Sequence, residues 1–301
     1  MGTVSISLDF ELGWGAMETG LWRMREANDV YRNLRPIMTR MTGLLGDLEL
    51  CLTWATVGAM ISDPKPADFD HLPDVFRTRA VDFLAQSDVQ TRDGRDLFAM
   101  VAECATPQDI GSHTFSHTRF PVLEFSRAAK QRDLEMAVSA VESQINQAPR
   151  SFVFPLNQPE NLDLVSEAGF EVARLAPETP KSRVGKLLVK MRGASASAFR
   201  SPVTDTLSTE TGSFLYTWGV HRDRHLRRAL ANRQLAQGLH RASTSDFHMH
   251  IWLHPFNLSE VKHLEDDFTA LLRVLATMRD AGSIKIEPMS AFENSPKDIH
   301  T

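Results

Sequence analysis

His113-Thr114-Phe115-Ser116-His117 carries two imidazoles four residues apart. On one helical turn that spacing puts both rings on one side, and each can offer a neutral ring nitrogen to the same divalent ion. The hydroxyl residues between them suit a tight turn or a helix start. A metal site needs a further protein ligand, and Ser5-Ile6-Ser7-Leu8-Asp9-Phe10-Glu11-Leu12 offers one near the N-terminus. This stretch alternates as a β-strand does, so Asp9 and Glu11 share a face while Leu8 and Phe10 point the other way. Gly13 and Gly15 follow and break the strand. Two carboxylates on one face repel unless a cation sits beside them. An ion held by one carboxylate and two histidines supplies that charge and leaves the other carboxylate to act on water. A third histidine, His254, lies in Ile251-Trp252-Leu253-His254-Pro255-Phe256-Asn257, while His248 and His250 lie earlier on the same strand as alternatives.

These residues need a scaffold, and the rest of the chain describes one. Its 301 residues suffice for a large core; 42% are hydrophobic and 24% charged, as in ordinary globular proteins. A net charge of −5 argues against a general nucleic-acid binder. The two cysteines, Cys51 and Cys104, are too few for a disulfide framework and read as reduced, buried thiols. No apolar run reaches membrane-spanning length. The first strand begins within a few residues of Met1, which leaves no room for a signal peptide and suggests a cytoplasmic protein.

Strand and helix patterns alternate. Strands are expected at 2–9, 50–55, 109–112, 151–154, 170–175, 248–253 and 284–286. Helices are expected at 30–48, 72–87, 95–105, 124–147, 159–168 (closed by Gly169), 222–241 and 259–281. Residues 177–219 show no lasting period and read as loops with short strands, a lid or a rim of the substrate groove, within one domain spanning 1–301. Such alternation argues for a mainly parallel sheet. Functional groups at several strand ends (Glu11, His113, Pro155, His254) suit a (β/α) barrel, whose active site lies at the C-terminal ends of its strands. An open doubly wound sheet would give the same pattern.

Asp9-Phe10-Glu11 with His113-Thr114-Phe115-Ser116-His117 resembles the polysaccharide deacetylases, the NodB-like carbohydrate esterases. Ser151-Phe152-Val153-Phe154-Pro155-Leu156-Asn157-Gln158 resembles the family's central proline motif, and Ile251-Trp252-Leu253-His254-Pro255-Phe256-Asn257 its late histidine motif. The four stretches occur in the family's order. The resemblance implies an α/β fold, a distorted (β/α) barrel of about seven parallel strands. It implies a metal-dependent hydrolase that removes an N-acetyl group from an amino sugar in a glycan or glycan precursor, with no nucleic-acid partner. Glu11, His113 and His117 would hold the divalent metal, zinc being the expected ion. Asp9 would be the base, His254 the acid, and a backbone N–H near Pro155 an oxyanion donor. Trp14, Pro155 and Asn157 are the expected substrate contacts, with Trp14 stacking on a sugar ring in preference to Trp22, Trp218 or Trp252. Which sugar, and which oligomeric state, are left open.

Two departures stand out. The family's first motif has adjacent aspartates, whereas here Phe10 separates an aspartate from a glutamate. Relatives also place an arginine beside the proline to brace the catalytic aspartate, and here the neighbours are Phe154 and Leu156. A substitute is expected from Arg150, Arg174, Arg192 or Arg200, with Arg192 preferred because it lies beside Gly193. Without one, the chain reads instead as a non-catalytic glycan- or precursor-binding protein on the same scaffold. A hydrolase of a non-sugar amide is a third reading.

Overall fold

The computed structural model of the protein describes residues 1–175, 198–200, 207–211, 213–214 and 224–292. Its frame is a curled sheet. The strands are β1 (Thr3–Phe10), β2 (Thr53–Thr56), β3 (Asp109–Ser112), β4 (Ser151–Val153), β5 (Val172–Leu175), β6 (Ala198–Arg200), β7 (Ser208–Thr211), β8 (Ser213–Phe214), β9 (His248–Leu253) and β10 (Lys285–Ile286). Seven of them run parallel in the order β7-β5-β4-β3-β2-β1-β9, making the distorted (β/α) barrel that the sequence suggests. The short strands β6, β8 and β10 pair with β7, β9 and β1; only β6 is antiparallel.

Helices connect the strands and cover the outside of the curl. They are α1 (Trp22–Ala27), α2 (Val30–Asp47), α3 (Gly58–Ile61), α4 (Asp74–Gln86), α5 (Val89–Arg92), α6 (Arg95–Ala102), α7 (Arg127–Ile145), α8 (Leu162–Glu167), α9 (Arg224–Thr244), α10 (Asn257–Glu260) and α11 (Leu264–Asp280). Helix α2 shows why: Tyr31, Leu34, Ile37, Met38, Met41 and Leu45 recur at helical spacing and are all buried. The helix expected over 159–168 is the shorter α8, and Gly169 follows it at φ +91°, where a glycine is least strained. The helix expected over 259–281 divides into α10 and α11, separated by His263 at φ +71°. Most of the expected rim at 177–219 lies outside the described residues. Cys51 and Cys104 are unbridged and half-buried, less enclosed than expected.

Parallel register levels the strand ends. Phe10 pairs with Thr56, Thr56 with Ser112, Ser112 with Phe152, Val153 with Arg174, and Leu8 with Leu253. Strand β1 alternates strictly: Val4, Ile6, Leu8 and Phe10 join the main apolar core, while Ser5, Ser7 and Asp9 form the other, equally buried set. Ala55, Val153 and Val172 form a second apolar cluster with Met289 and Phe292. The Met289 N–H donates to Thr53 Oγ1 at 2.8 Å, tying that C-terminal turn to β2.

Candidate active site

Asp9 and Glu11 lie at the end of β1, 2% and 4% exposed. The Asp9 carboxylate receives two parallel bonds from Arg174, Nη1 to Oδ1 and Nη2 to Oδ2, both 2.7 Å. Arg174 Nη1 also donates to Ser7 Oγ at 2.7 Å, and Nη2 to Asn157 Oδ1 at 3.0 Å. Its guanidinium stands 4.4 Å from the centroid of the Trp252 ring. Ser7 Oγ lies 2.7 Å from His250 Nε2. Since that oxygen already accepts from Arg174, its own proton is available for the imidazole. Burial alone would raise the Asp9 carboxyl; Arg174 outweighs it, and the group sits below the ordinary aspartate value.

A guanidinium therefore does brace Asp9, but it comes from β5 rather than from Arg192. The reason is register. Arg174 stands opposite Val153 on β4, at the level of the strand ends, and is wholly buried. Neither flank of Pro155 serves: Phe154 packs against Phe120 and Phe152, and Leu156 is half exposed. Arg192 itself lies outside the described residues. A sequence signal existed, because a lone arginine inside an apolar strand must find an anion when the strand is buried.

Glu11 faces imidazoles. Its Oε2 is 2.9 Å from His117 Nε2 and 3.3 Å from His113 Nε2, and its Oε1 is 3.4 Å from His254 Nε2. The two Nε2 atoms of the pair are 3.2 Å apart. Burial pushes Glu11 up, but His254 and His117 outweigh it and hold the carboxyl well below its usual range. His113 is lowered by burial, whereas Glu11 overcomes burial at the nearer His117 and raises it.

The histidine segment is a loop, not the helical turn expected from its spacing. Thr114 and His117 have φ of +67° and +60°, left-handed values that L residues with side chains adopt at a cost. Hydrogen bonds hold it there. The His117 N–H donates to Thr114 Oγ1, and the Phe115 N–H to Asp133 Oδ2 on α7, which is fully buried. The first N–H groups of α3 donate to the Thr114 and Phe115 carbonyls. His113 Nδ1–H donates to the Val153 carbonyl at 2.8 Å, which leaves Nε2 as the lone-pair nitrogen.

The donor set suits a divalent ion. One atom each from Glu11, His113 and His117 lie within 4.8 Å of one another. Ligands about 2.0–2.1 Å from a tetrahedral ion stand about 3.3 Å apart, close to the spacings observed. Gly15 keeps the Glu11 carboxylate in place, because a Cβ at this glycine would fall 1.9–2.5 Å from its atoms. Among the described residues, no other group of three His, Cys, Asp or Glu side chains has this geometry.

The remaining expected residues divide. His254, at the end of β9, has its Nε2 3.9 Å from Asp9 Oδ2 and so joins the site. Asn157 reaches the site through Arg174, not as a free surface group. Pro155 is buried. Of the N–H groups that follow Pro155, those of Asn157 and Gln158 are bonded to the Phe154 and Pro155 carbonyls. Trp14 cannot stack on a sugar: it is fully buried between Phe69 and Phe83, with its indole N–H on the Arg92 carbonyl. A half-buried aromatic at the site is Trp252, 5.7 Å from the His254 ring. His248 and His250 bond to Ser5 and Ser7 and stand apart from the Glu11 cluster.

No family model matches the chain, and no curated protein does. Solved structures do. A putative polysaccharide deacetylase from Mycobacterium smegmatis superposes with a TM-score of 0.54 at 12% identity, over 99% of this chain and 93% of that one. An allantoinase gives 0.51 at 10% identity, over 97% and 88%. A mutant CE4 family pseudoenzyme from Bacillus anthracis, described as having restored enzymatic activity, gives 0.50 at 10% identity, over 97% and 67%. With the curled parallel sheet and level strand ends already described, these similarities give the chain the fold of the polysaccharide deacetylases.

Proposed function

We propose that the chain is a metal-dependent hydrolase that removes the N-acetyl group from an amino sugar in a glycan or glycan precursor. The observation that carries this reading is the pairing of two neighbouring carboxylates with different partners: Asp9 with a guanidinium, Glu11 with two imidazoles that fit an ion. Glu11, His113 and His117 would hold the ion, with zinc the expected species. A bound divalent ion supplies Lewis-acid polarisation and makes water more acidic. The chain's own residues do the rest. Asp9, kept ionised by Arg174, retains lone pairs on both oxygens beyond those Arg174 occupies, and takes the proton of the attacking water. His254, across from it, gives a proton at Nε2 to the amine nitrogen as the C–N bond breaks. Acetate and a free amino sugar leave.

A non-catalytic binding protein gains its support from a missing brace on the base. Arg174 supplies one, which favours the catalytic reading; that one structural relative is a pseudoenzyme is a property of that protein. Acetate release from N-acetylglucosamine oligomers, measured with added zinc and with chelator, tests the proposal. Chelator-sensitive release is expected. Stoichiometric metal binding with no release from these sugars, polymeric or short, would favour the binding protein.

A further inference from the structure

Behind His254 lies a polar chain that the proposed chemistry does not yet use. His254 Nδ1 is 3.2 Å from Asn257 Oδ1, and the His254 backbone N–H donates to the same oxygen at 3.3 Å. Asn257 Nδ2 donates to Glu260 Oε2 at 3.3 Å, and Glu260 Oε1 accepts from Arg25 Nε at 3.0 Å. Asn257 is wholly buried, and the Arg25 side chain is 3% exposed. The His254 ring stacks on Phe256 at 5.0 Å, and the Arg25 guanidinium lies 4.3 Å from the centroid of that same ring.

The direction of each bond in this chain is decided by chemistry. A carboxylate only accepts, so the Asn257 atom facing Glu260 is its NH₂ group. A backbone N–H only donates, so the atom facing His254 N is the carbonyl oxygen. The two constraints agree, and the amide has one orientation. A carbonyl oxygen in turn requires that His254 Nδ1 carry a hydrogen. The opposite nitrogen, Nε2, then faces Asp9 and Glu11, and it is the nitrogen through which the ring gains or gives a proton.

We propose that Asn257, held by Glu260 and Arg25, is a positioning residue that sets the tautomer and ring plane of His254 so that Nε2 serves as the proton donor to the leaving amine. This rests on the deacetylase reading. The proton passes from Nε2 to the departing nitrogen, which receives the electron pair of the broken C–N bond, and the ring is left neutral with its hydrogen on Nδ1. Asn257 neither touches substrate nor exchanges a proton; its carbonyl holds the hydrogen that must stay.

The test has two readouts on the zinc-loaded protein. Two-bond ¹H–¹⁵N correlation spectra of histidine-labelled protein report the His254 tautomer whether or not the protein turns over. Nδ1–H is expected in the wild type, with a shift toward Nε2–H in Asn257→Leu. Kinetics on N-acetylglucosamine oligomers and on 4-nitrophenyl acetate form the second arm, because nitrophenolate departs without a proton and an amine does not. Asn257→Leu should lower kcat on the acetamide by about 10²-fold with KM little changed, and lower ester turnover by a far smaller factor. Glu260→Ala, at a partly exposed position, should show the same split more weakly, and it replaces Asn257→Leu if that variant does not fold. An Nε2–H tautomer in the wild type, an unchanged tautomer in the variants, or equal losses on amide and ester would overturn the proposal. A wild type that releases no acetate while keeping Nδ1–H would instead sink the deacetylase reading and leave the role of Asn257 in setting the tautomer standing.

Discussion

Asp9 and Glu11 leave the same strand end two residues apart, and their surroundings are opposite. Around Asp9 the protein supplies its own cation: Arg174 is bidentate, fixed by Ser7 and Asn157, and set against Trp252. Around Glu11 the nearest groups are imidazoles, whose charge depends on pH and whose lone pairs converge. One carboxylate is therefore neutralised permanently and the other conditionally. A fixed counter-charge keeps a base ionised without blocking its remaining lone pairs. A conditional one leaves room for an exchangeable ion.

The contrast breaks most visibly in the carboxylates themselves. Glu11→Ala should lose stoichiometric metal, as read by metal analysis of the purified protein. Asp9→Asn should keep the metal and lose turnover by about 100-fold or more. The reverse pattern would exchange the two roles. Arg174→Leu comes next, because it leaves a buried carboxylate without its partner and should cost about 3–5 kcal/mol in urea unfolding at neutral pH. The Asp9 carboxyl is depressed in the folded state, so its contribution is complete above the unfolded value of about 3.9 and fades as pH falls through the folded value. The double variant Asp9→Asn, Arg174→Leu should therefore lose much less than the sum; additivity would mean that the pair is not coupled.

Smaller effects sharpen the comparison. Gly15→Ala places a Cβ against the Glu11 carboxylate and should weaken metal affinity, measured by competition with a chromophoric chelator, while the Asp9 side stays intact. Unchanged affinity would show that Glu11 moves freely and that its present position is not required. Ser7→Ala removes one acceptor of Arg174 and should cost about 1.5 kcal/mol, typical of a hydrogen bond to a charged group, without altering metal content. A loss of metal in this variant would mean that the two halves of the site are linked through β1.

Much of this was legible in the residues. β1 and β9 announce themselves by length and by β-rich composition, and the four motifs arrive in order. The short α3 and α5 give too few residues for a period to emerge, and α1 lies in a segment without a clear stripe. The backbone path of His113–His117 is not written in a spacing that fits helix and loop alike; it follows from the buried Asp133 and the start of α3, both distant in sequence. Arg174 was visible as a charge inside an apolar strand, but register, not proximity to a glycine, decides which arginine reaches Asp9. Trp14 misleads because a glycine-flanked aromatic just after Asp9 and Glu11 reads as exposed, whereas Phe69 and Phe83 enclose it.

The place of β1 has a consequence for how the chain is made. β1 leaves the ribosome before the other described strands, yet its partners β9 and β10 begin at residues 248 and 285. During synthesis, β2 can cover one edge of β1 early over residues 7–10 alone; Thr3 and Val4 on that edge wait for β10, and the whole of the other edge waits for β9. An unpaired strand edge next to apolar side chains is a template for wrong association. The polar set Ser5, Ser7 and Asp9 on alternate positions lowers the appeal of that strand to other chains while it waits. The acids at its tip are thus the first part of the site to be synthesised and among the last to be enclosed.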